Sequence, residues 1–201
     1  MKTIQTTIAI LVLSIFAISC SKDADSQSDK VFDTQNPLAG YLETSGFTVL
    51  HAISIDAPNS LGTEFGLTFM PLRSGVINSF VVKTPGVNLD MRITIWDKAA
   101  ATIVRTELIN VPEKNSEVVV NIPPIALVKN KEYVFSWKTT SCFILRKPNN
   151  QDANYPVTIQ DIKIISFKKT NIGANTPYTM PSTPVLQFYN GYSSFNFQPT
   201  E

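Results

Sequence analysis

Residues 64–69 read Glu-Phe-Gly-Leu-Thr-Phe, and this stretch decides the fold class. Its large apolar side chains, Phe65, Leu67 and Phe69, recur at every second position, which is the period of a β-strand with one buried face. An amphipathic helix would instead repeat its apolar positions every three to four residues. The stretch therefore predicts a half-buried strand.

Similar short segments continue along the chain, and turn residues separate them about every ten positions. The predicted strands are residues 47–55, 65–69, 75–83, 89–97, 102–110, 117–122, 132–138, 142–146, 162–168, 185–189 and 194–197. No convincing amphipathic helix follows residue 30, and residues 170–184, rich in Asn, Thr and Pro, are typical of a long ordered loop. Short strands at this spacing predict an all-β fold, a two-sheet antiparallel β-sandwich.

The first twenty residues are typical of an export signal. Lys2 supplies a positive charge, residues 4–18 are mostly apolar, and Ala17 and Ser19 are small residues just before Cys20. The apolar run is shorter than the roughly 20 residues of a permanent membrane helix. A cysteine after small residues resembles a bacterial lipobox, which predicts cleavage before Cys20 and lipidation of its thiol. An ordinary signal peptide with a chance cysteine is the alternative.

Residues 21–30 are polar and lack aromatic side chains, so they predict a flexible tether. The predicted organisation is a signal peptide (1–19), a lipidated cysteine with its tether (20–40) and a single β-sandwich domain (41–201). This arrangement places the protein at the outer membrane through its lipid anchor. The Ser-Lys-Asp-rich tether resembles those of surface-exposed lipoproteins of Gram-negative bacteria, and a periplasm-facing tether is equally compatible with it.

The composition limits the chemistry. Lys plus Arg is 17 and Asp plus Glu is 16, so the chain lacks the basic excess of a nucleic-acid-binding protein. One His and two Cys cannot supply a typical zinc site, and no nucleophile elbow or phosphate-binding loop is present. We therefore expect no metal, no cofactor and no enzyme activity.

His51 shares the parity of Phe47 and Val49 and is expected at the core or its edge. Cys142 is expected to be a buried structural thiol.

Glycoside hydrolysis needs only two carboxylates, so this activity survives as the least favoured alternative. The carboxylates considered are Asp56, Glu64, Asp90, Asp97, Asp152 and Asp161. Most of them fall at strand ends or turns, where solvated carboxylates are common. The sequence shows no pairing between them.

Aromatic side chains remain as candidates for ligand binding, because sugar rings stack on flat apolar surfaces. Trp96 shares a face with Arg92 and is a possible exposed platform, although burial in the core is the commoner role of such a residue. The candidate ligand-binding residues are Trp96, Arg92, Tyr189, Tyr192, Tyr178 and Arg146. Asn190-Gly191 favours a tight hairpin turn that would leave the flanking tyrosines at a rim.

Six short motifs recur along the predicted sandwich, at residues 64–69, 75–77, 93–97, 133–137, 155–156 and 161–162. Together they span roughly residues 62–197 and resemble a bacterial family known only as a domain of unknown function. Members of that family are single, extracytoplasmic β-sandwich domains that often accompany carbohydrate-active modules or anchors. The resemblance implies a jelly-roll-like sandwich and no established activity.

Together these observations predict a cell-envelope lipoprotein. Its most favoured role is a non-catalytic binding module for a glycan or another envelope ligand, attached to the membrane through Cys20. The alternative is a structural or assembly partner that binds another envelope protein through a sheet face or edge.

Overall fold

The computed structural model of the protein describes residues 32–54, 62–139, 141–172 and 178–201. The predicted signal peptide, Cys20, most of the predicted tether and Asp56 lie outside the described residues. The compact unit extends from Val31 to Glu201. None of the described helices is long and apolar enough to cross a membrane.

The described elements are one α-helix, one 3-10 turn and thirteen strands. They are α1 (Pro37–Thr44), β1 (Thr48–Ser54), β2 (Thr63–Pro71), β3 (Gly75–Lys83), β4 (Asn88–Asp97), β5 (Thr102–Val111), β6 (Glu117–Leu127), β7 (Tyr133–Thr139), β8 (Ser141–Arg146), the 3-10 turn Pro148–Asn150, β9 (Val157–Ile159), β10 (Ile162–Asn171), β11 (Thr183–Pro184), β12 (Tyr189–Asn190) and β13 (Tyr192–Pro199).

The strands form three antiparallel sheets. The largest has the order β11-β10-β2-β7-β4-β5, with β9 also paired to β10, and the smaller two have the orders β1-β8-β12 and β13-β3-β6. Both small sheets pack on the same face of the large one, which is its inner face. Phe195 of β13 lies 5.4 Å from Phe135 of β7 between ring centroids, and Tyr189 of β12 lies 4.4 Å from Phe167 of β10. The predicted all-β sandwich is confirmed, and its second layer is divided between two sheets.

Residues 64–69 form a strand as predicted, but the prediction that only one face of this strand is buried is wrong. Phe65, Leu67 and Phe69 point into the core, as the alternation requires. Glu64 and Thr68, which point to the outer face, are buried too. Strand β2 is thus covered on both sides, because the segment 178–182 crosses the outer face and Pro181 lies against Gly66.

The helix α1 corrects the expectation that no helix follows residue 30. The side chain of Asn36 accepts a hydrogen bond from the backbone N–H of Ala39 at 3.1 Å, which caps the helix, and Pro37 occupies its first turn. Leu38, Tyr41 and Leu42 follow at helical spacing and are buried. The helix begins within residues 20–40, so ordered structure reaches into the segment that the sequence assigned to the tether.

The beginning of the described chain is joined to its end. Gln35 and Phe197 exchange two backbone hydrogen bonds, each 2.8 Å long, and Thr34 donates a side-chain hydrogen bond to Gln198. Gln35 also donates from its side chain to Asp161 at 2.6 Å. Strand β13 is therefore held by β3 on one side and by the chain that leads into α1.

Three local predictions are corrected. His51 is exposed, and a bulge between Val49 and His51 interrupts the alternation of β1 on which the prediction rested. Strand β6 continues through Pro123 and Pro124, which a sheet tolerates because β6 is an edge strand.

The third correction concerns residues 185–192. In place of the predicted strand 185–189 the structure has the short strands β11 and β12. Asn190-Gly191 is not a hairpin turn, because β12 pairs with β8 whereas β13 pairs with β3. Gly191 has a φ of 93°, which suits the change of direction between the two sheets.

Candidate functional site

The structure brings three of the six candidate residues, Trp96, Arg92 and Tyr178, together on the outer face of the large sheet and places the other three elsewhere. Trp96 is only 4% exposed, and its Nε1 donates a hydrogen bond to the hydroxyl of Ser136 at 2.8 Å. It lies on the outer face of the large sheet, on the side predicted from its parity with Arg92, but it is covered. The possibility of an exposed Trp96 platform is therefore corrected, and burial, its commoner role, is what the structure shows.

Beside Trp96, a buried carboxylate organises the outer face. Glu64 is fully buried and accepts hydrogen bonds from Ser136 at 2.6 Å and from Arg92 at 2.5 Å. Burial raises the pKa of the Glu64 carboxyl, while the Ser136 hydroxyl and the Arg92 guanidinium oppose this rise. The two carboxylate oxygens are thus engaged by neighbours on β7 and β4.

Arg92 and Tyr178 come together over this carboxylate. The guanidinium carbon of Arg92 lies 4.2 Å from the centroid of the Tyr178 ring, which is the geometry of a cation–π contact. The contact and the nearby packing of Pro181 on Gly66 hold the segment 178–182 against the sheet. Because Glu64 is fully buried and both of its oxygens accept hydrogen bonds, this carboxylate stabilises the fold and is not accessible to a ligand.

Tyr189 does not lie at the predicted rim. Tyr189 is fully buried against Phe167, and burial raises the pKa of its hydroxyl well above the ordinary value. Its assignment to an exposed rim is corrected. Arg146 ends β8 and donates to the side chain of Asn150 at 2.6 Å, in the turn that follows that strand.

Tyr192 lines a sizeable groove. This groove, called the α1 groove below, has a volume of about 410 Å³ and lies between the helix and the two small sheets. Its lining residues are Ala39, Leu42, Glu43, Phe47, Lys83, Glu117, Leu145 and Tyr192. A smaller pocket of about 40 Å³ adjoins it, shares Tyr192 and adds the polar side chains of Asn36 and Ser194.

The sheet pairing explains why these polar and aromatic groups meet. Tyr192 of β13 stands directly opposite Lys83 of β3, and Lys83 stands opposite Glu117 of β6. The three side chains form a row across three neighbouring strands, with the Lys83 ammonium 5.8 Å from the Tyr192 ring centroid. Phe143 packs edge-on against the same ring at 5.3 Å, which fixes its orientation.

This row can bind a polar molecule with an apolar face. The partly exposed Tyr192 ring offers a stacking surface, while Lys83 donates and Glu117 accepts hydrogen bonds at its margin. Lys83 and Glu117 were absent from the sequence prediction. They are far apart in the chain and come together only through strand pairing, a relation that the spacing of residues in one sequence does not contain.

Among the described residues, the carboxylates considered for hydrolysis do not form a cluster. Asp97 pairs with Lys131 at 2.7 Å and accepts two backbone N–H bonds, and the hydrogen bond from Lys131 is the main cause that lowers its pKa. Asp161 is bound by Gln35, and Glu64 is enclosed as described. Within the described ranges no group of three or more His, Cys, Asp or Glu side chains is placed to hold a metal ion.

No protein-family model matches the chain, and no curated protein matches it either. The resemblance to the bacterial domain family of unknown function therefore stays a prediction.

Proposed function

We propose that the protein is a lipoprotein of the cell outer membrane that binds a glycan without catalysing its conversion. The anchor is the lipidated Cys20, and the folded domain faces the periplasm or the cell surface. Support for the anchor is the lipobox-like sequence before Cys20. The proposed binding site is the α1 groove.

One observation carries the proposal for the site. Tyr192, Lys83 and Glu117 lie side by side in a groove of about 410 Å³, so an aromatic surface and both kinds of hydrogen-bonding group face one space. A sugar ring presents an apolar C–H face and hydroxyls at its edge, which is the complementary arrangement. The mixed charges of Glu43, Glu117 and Lys83 favour a neutral or zwitterionic glycan over a polyanion.

The test measures binding of the detergent-solubilised full chain to an array of envelope and extracellular glycans. Tyr192→Ala should weaken binding of the recognised glycan at least tenfold, because the stacking surface is lost. Tyr192→Phe keeps the ring and should retain binding, and Trp96→Phe serves as a control in a buried site. The proposal fails if no glycan binds, or if Tyr192→Ala binds as well as the unaltered chain.

The same assay addresses hydrolysis, because Glu43 and Glu117 both line the groove. New reducing ends in the bound glycan, lost in Glu117→Gln, would replace the binding proposal with the two-carboxylate hydrolase. An intact glycan after prolonged incubation supports binding alone.

A specific observation favours a second candidate function, assembly with another envelope protein. Strand β5 is an edge of the large sheet, pairs only with β4 among the described strands, and leaves Leu108 62% exposed. Ile103 and Val104 on the same strand are also exposed, and an unpaired apolar edge suits strand addition by a partner. A photoreactive side chain at position 104 should then crosslink one envelope protein in cells, and the same group at exposed Lys114 should not.

A further inference from the structure

A second cavity lies between the sheet β1-β8-β12 and the large sheet, apart from the α1 groove. It has a volume of about 170 Å³, and its apolar wall is formed by Ile53, Phe65 and Ile144. The lining also includes Phe188, Lys169 and the buried side chains of Cys142 and Asn190. None of these residues lines the α1 groove, so the two spaces can be tested separately.

Lys169 is unusual because it faces the inside of the sandwich. It stands opposite Phe65, an inward-facing residue, whereas the preceding Lys168 stands opposite Gly66 on the outer face. Its ammonium lies 5.6 Å from the centroid of the Phe188 ring. Asp152 lines an adjoining pocket with Lys169, but among the described residues no carboxylate is within ion-pair distance of the ammonium, so the cavity has a cation without a paired counter-charge.

Asn190 supplies an unused hydrogen-bonding group to the same cavity. It is only 4% exposed, its Nδ2 lies 3.6 Å from the Sγ of Cys142, and its Oδ1 has no hydrogen-bond partner. If the amide is turned by 180°, the thiol can donate to Oδ1 and Nδ2 is left without an acceptor. Either orientation leaves one buried amide atom unpaired, and such atoms are rare in folded proteins.

We propose that this cavity binds a small monocarboxylic acid with an apolar body. The carboxylate accepts hydrogen bonds from the Lys169 ammonium and from Nδ2 of Asn190, while Oδ1 of Asn190 accepts from the Cys142 thiol. The apolar body packs against Phe65, Ile53 and Ile144. This arrangement gives Lys169 a counter-charge and both halves of the Asn190 amide a partner.

The chemistry of the cavity distinguishes this class from other ligands. A phosphate or dicarboxylate would bring two charges to a site whose lining has one cation and a largely apolar wall. A neutral lipid or hydrocarbon would leave Lys169 and the free amide atom without partners. A single carboxylate on a short apolar chain meets both requirements.

The test uses hexanoate as the probe and hexanamide as its uncharged control, with the full chain in detergent. Titration calorimetry should show hexanoate binding at least tenfold more tightly than hexanamide. Lys169→Gln should weaken hexanoate binding at least tenfold, and Lys168→Gln, on the outer face, should leave it unchanged. Tyr192→Ala should also leave it unchanged, which separates this site from glycan binding.

A second readout reports occupancy at Cys142 itself. Hexanoate should slow alkylation of Cys142, followed on its own peptide by mass spectrometry so that Cys20 does not contribute. The proposal is overturned if hexanoate neither binds nor protects Cys142, if hexanamide binds equally well, or if Lys169→Gln binds like the unaltered chain. Should Lys169→Gln fail to fold, the hexanoate and hexanamide comparison on the unaltered chain decides.

Discussion

At the scale of single residues, the ion pair between Arg92 and Glu64 is the most consequential contact on the outer face. Arg92→Met removes the guanidinium and leaves the Glu64 carboxylate buried, with the Ser136 hydroxyl and the charge of Lys138 as its remaining stabilising neighbours. Breaking a buried pair from one side costs about 3 kcal/mol or more. We expect the free energy of unfolding at pH 8 to fall by about that amount, measured by urea denaturation.

The loss in Arg92→Met should depend on pH. Burial already raises the pKa of Glu64 above 4.5, and removal of the guanidinium raises it further. A carboxyl with a raised pKa in the folded state binds its proton more tightly there than in the unfolded chain. Its stabilising contribution is therefore complete below pH 4.5 and is lost as the pH rises through the folded-state pKa.

The difference in stability between the Arg92→Met variant and the unaltered chain should thus be smaller at pH 4 than at pH 8. The double variant Arg92→Met with Glu64→Gln should recover much of the loss at pH 8, since no unpaired charge remains. An equal loss at both pH values would show that packing, and not the carboxylate charge, explains the effect.

The sequence did not predict correctly which aromatic side chains are covered by other parts of the chain. Parity placed Trp96 and Arg92 correctly on one face of β4, because side-chain direction alternates along any strand. Parity did not reveal that the segment 178–182 covers that face, since coverage depends on a chain segment distant in sequence. For the same reason Tyr189, predicted at a rim, is enclosed by the facing layer.

At the scale of elements, α1 depends on its N-terminal cap. Asn36 caps the helix through Ala39 and also accepts a hydrogen bond from Ser194 of β13 at 2.5 Å. Asn36→Ala removes both bonds and should lower the free energy of unfolding by about 1–2 kcal/mol. Asn36→Asp keeps the oxygen that accepts both bonds and should cost less, and urea denaturation compares the two variants. Equal losses would indicate that the cap contributes nothing.

The strands were the more predictable elements, and the reasons are local. Apolar alternation and flanking turn residues located β2, β3, β4 and β7 closely. The helix was missed although Asn36-Pro37 and the spacing of Leu38, Tyr41 and Leu42 signal it, because eight residues give too few repeats to stand out. β11 and β12 have two residues each, which is too short for any periodic pattern.

At the scale of the whole molecule, attachment to the membrane should depend on one atom, the Sγ of Cys20. Cys20→Ser should abolish incorporation of radiolabelled palmitate, because the acyl chain is carried by the thiol. Cys142→Ser leaves the anchor in place and is the matched control. Labelling that persists in Cys20→Ser, or that disappears in Cys142→Ser, would contradict the proposed anchor.

The layered architecture was predictable from the sequence, and its subdivision was not. Many short alternating strands require two facing layers to bury their apolar sides, so the sandwich follows from pattern alone. The split of the second layer between two sheets depends on how β12 and β13 diverge at Gly191. That divergence is decided by tertiary packing, because Asn190-Gly191 is locally compatible with a hairpin.

The two backbone hydrogen bonds between Gln35 and Phe197 have a mechanical consequence. A pull along the polypeptide that leads into the domain acts on the contacts of Phe32, Thr34 and Gln35 with the end of β13, and the two Gln35–Phe197 hydrogen bonds form the clasp among them. Beyond these contacts the load passes to β13, which eight ladder positions join to β3. Hydrogen bonds between two strands share the force when the pull is directed along the strands. They break one at a time when a strand is pulled away from its neighbour starting at one end. Tension would thus break the Gln35–Phe197 clasp before the sandwich unfolds. A fluorophore attached after Glu201 would sit beside the clasp and report its opening.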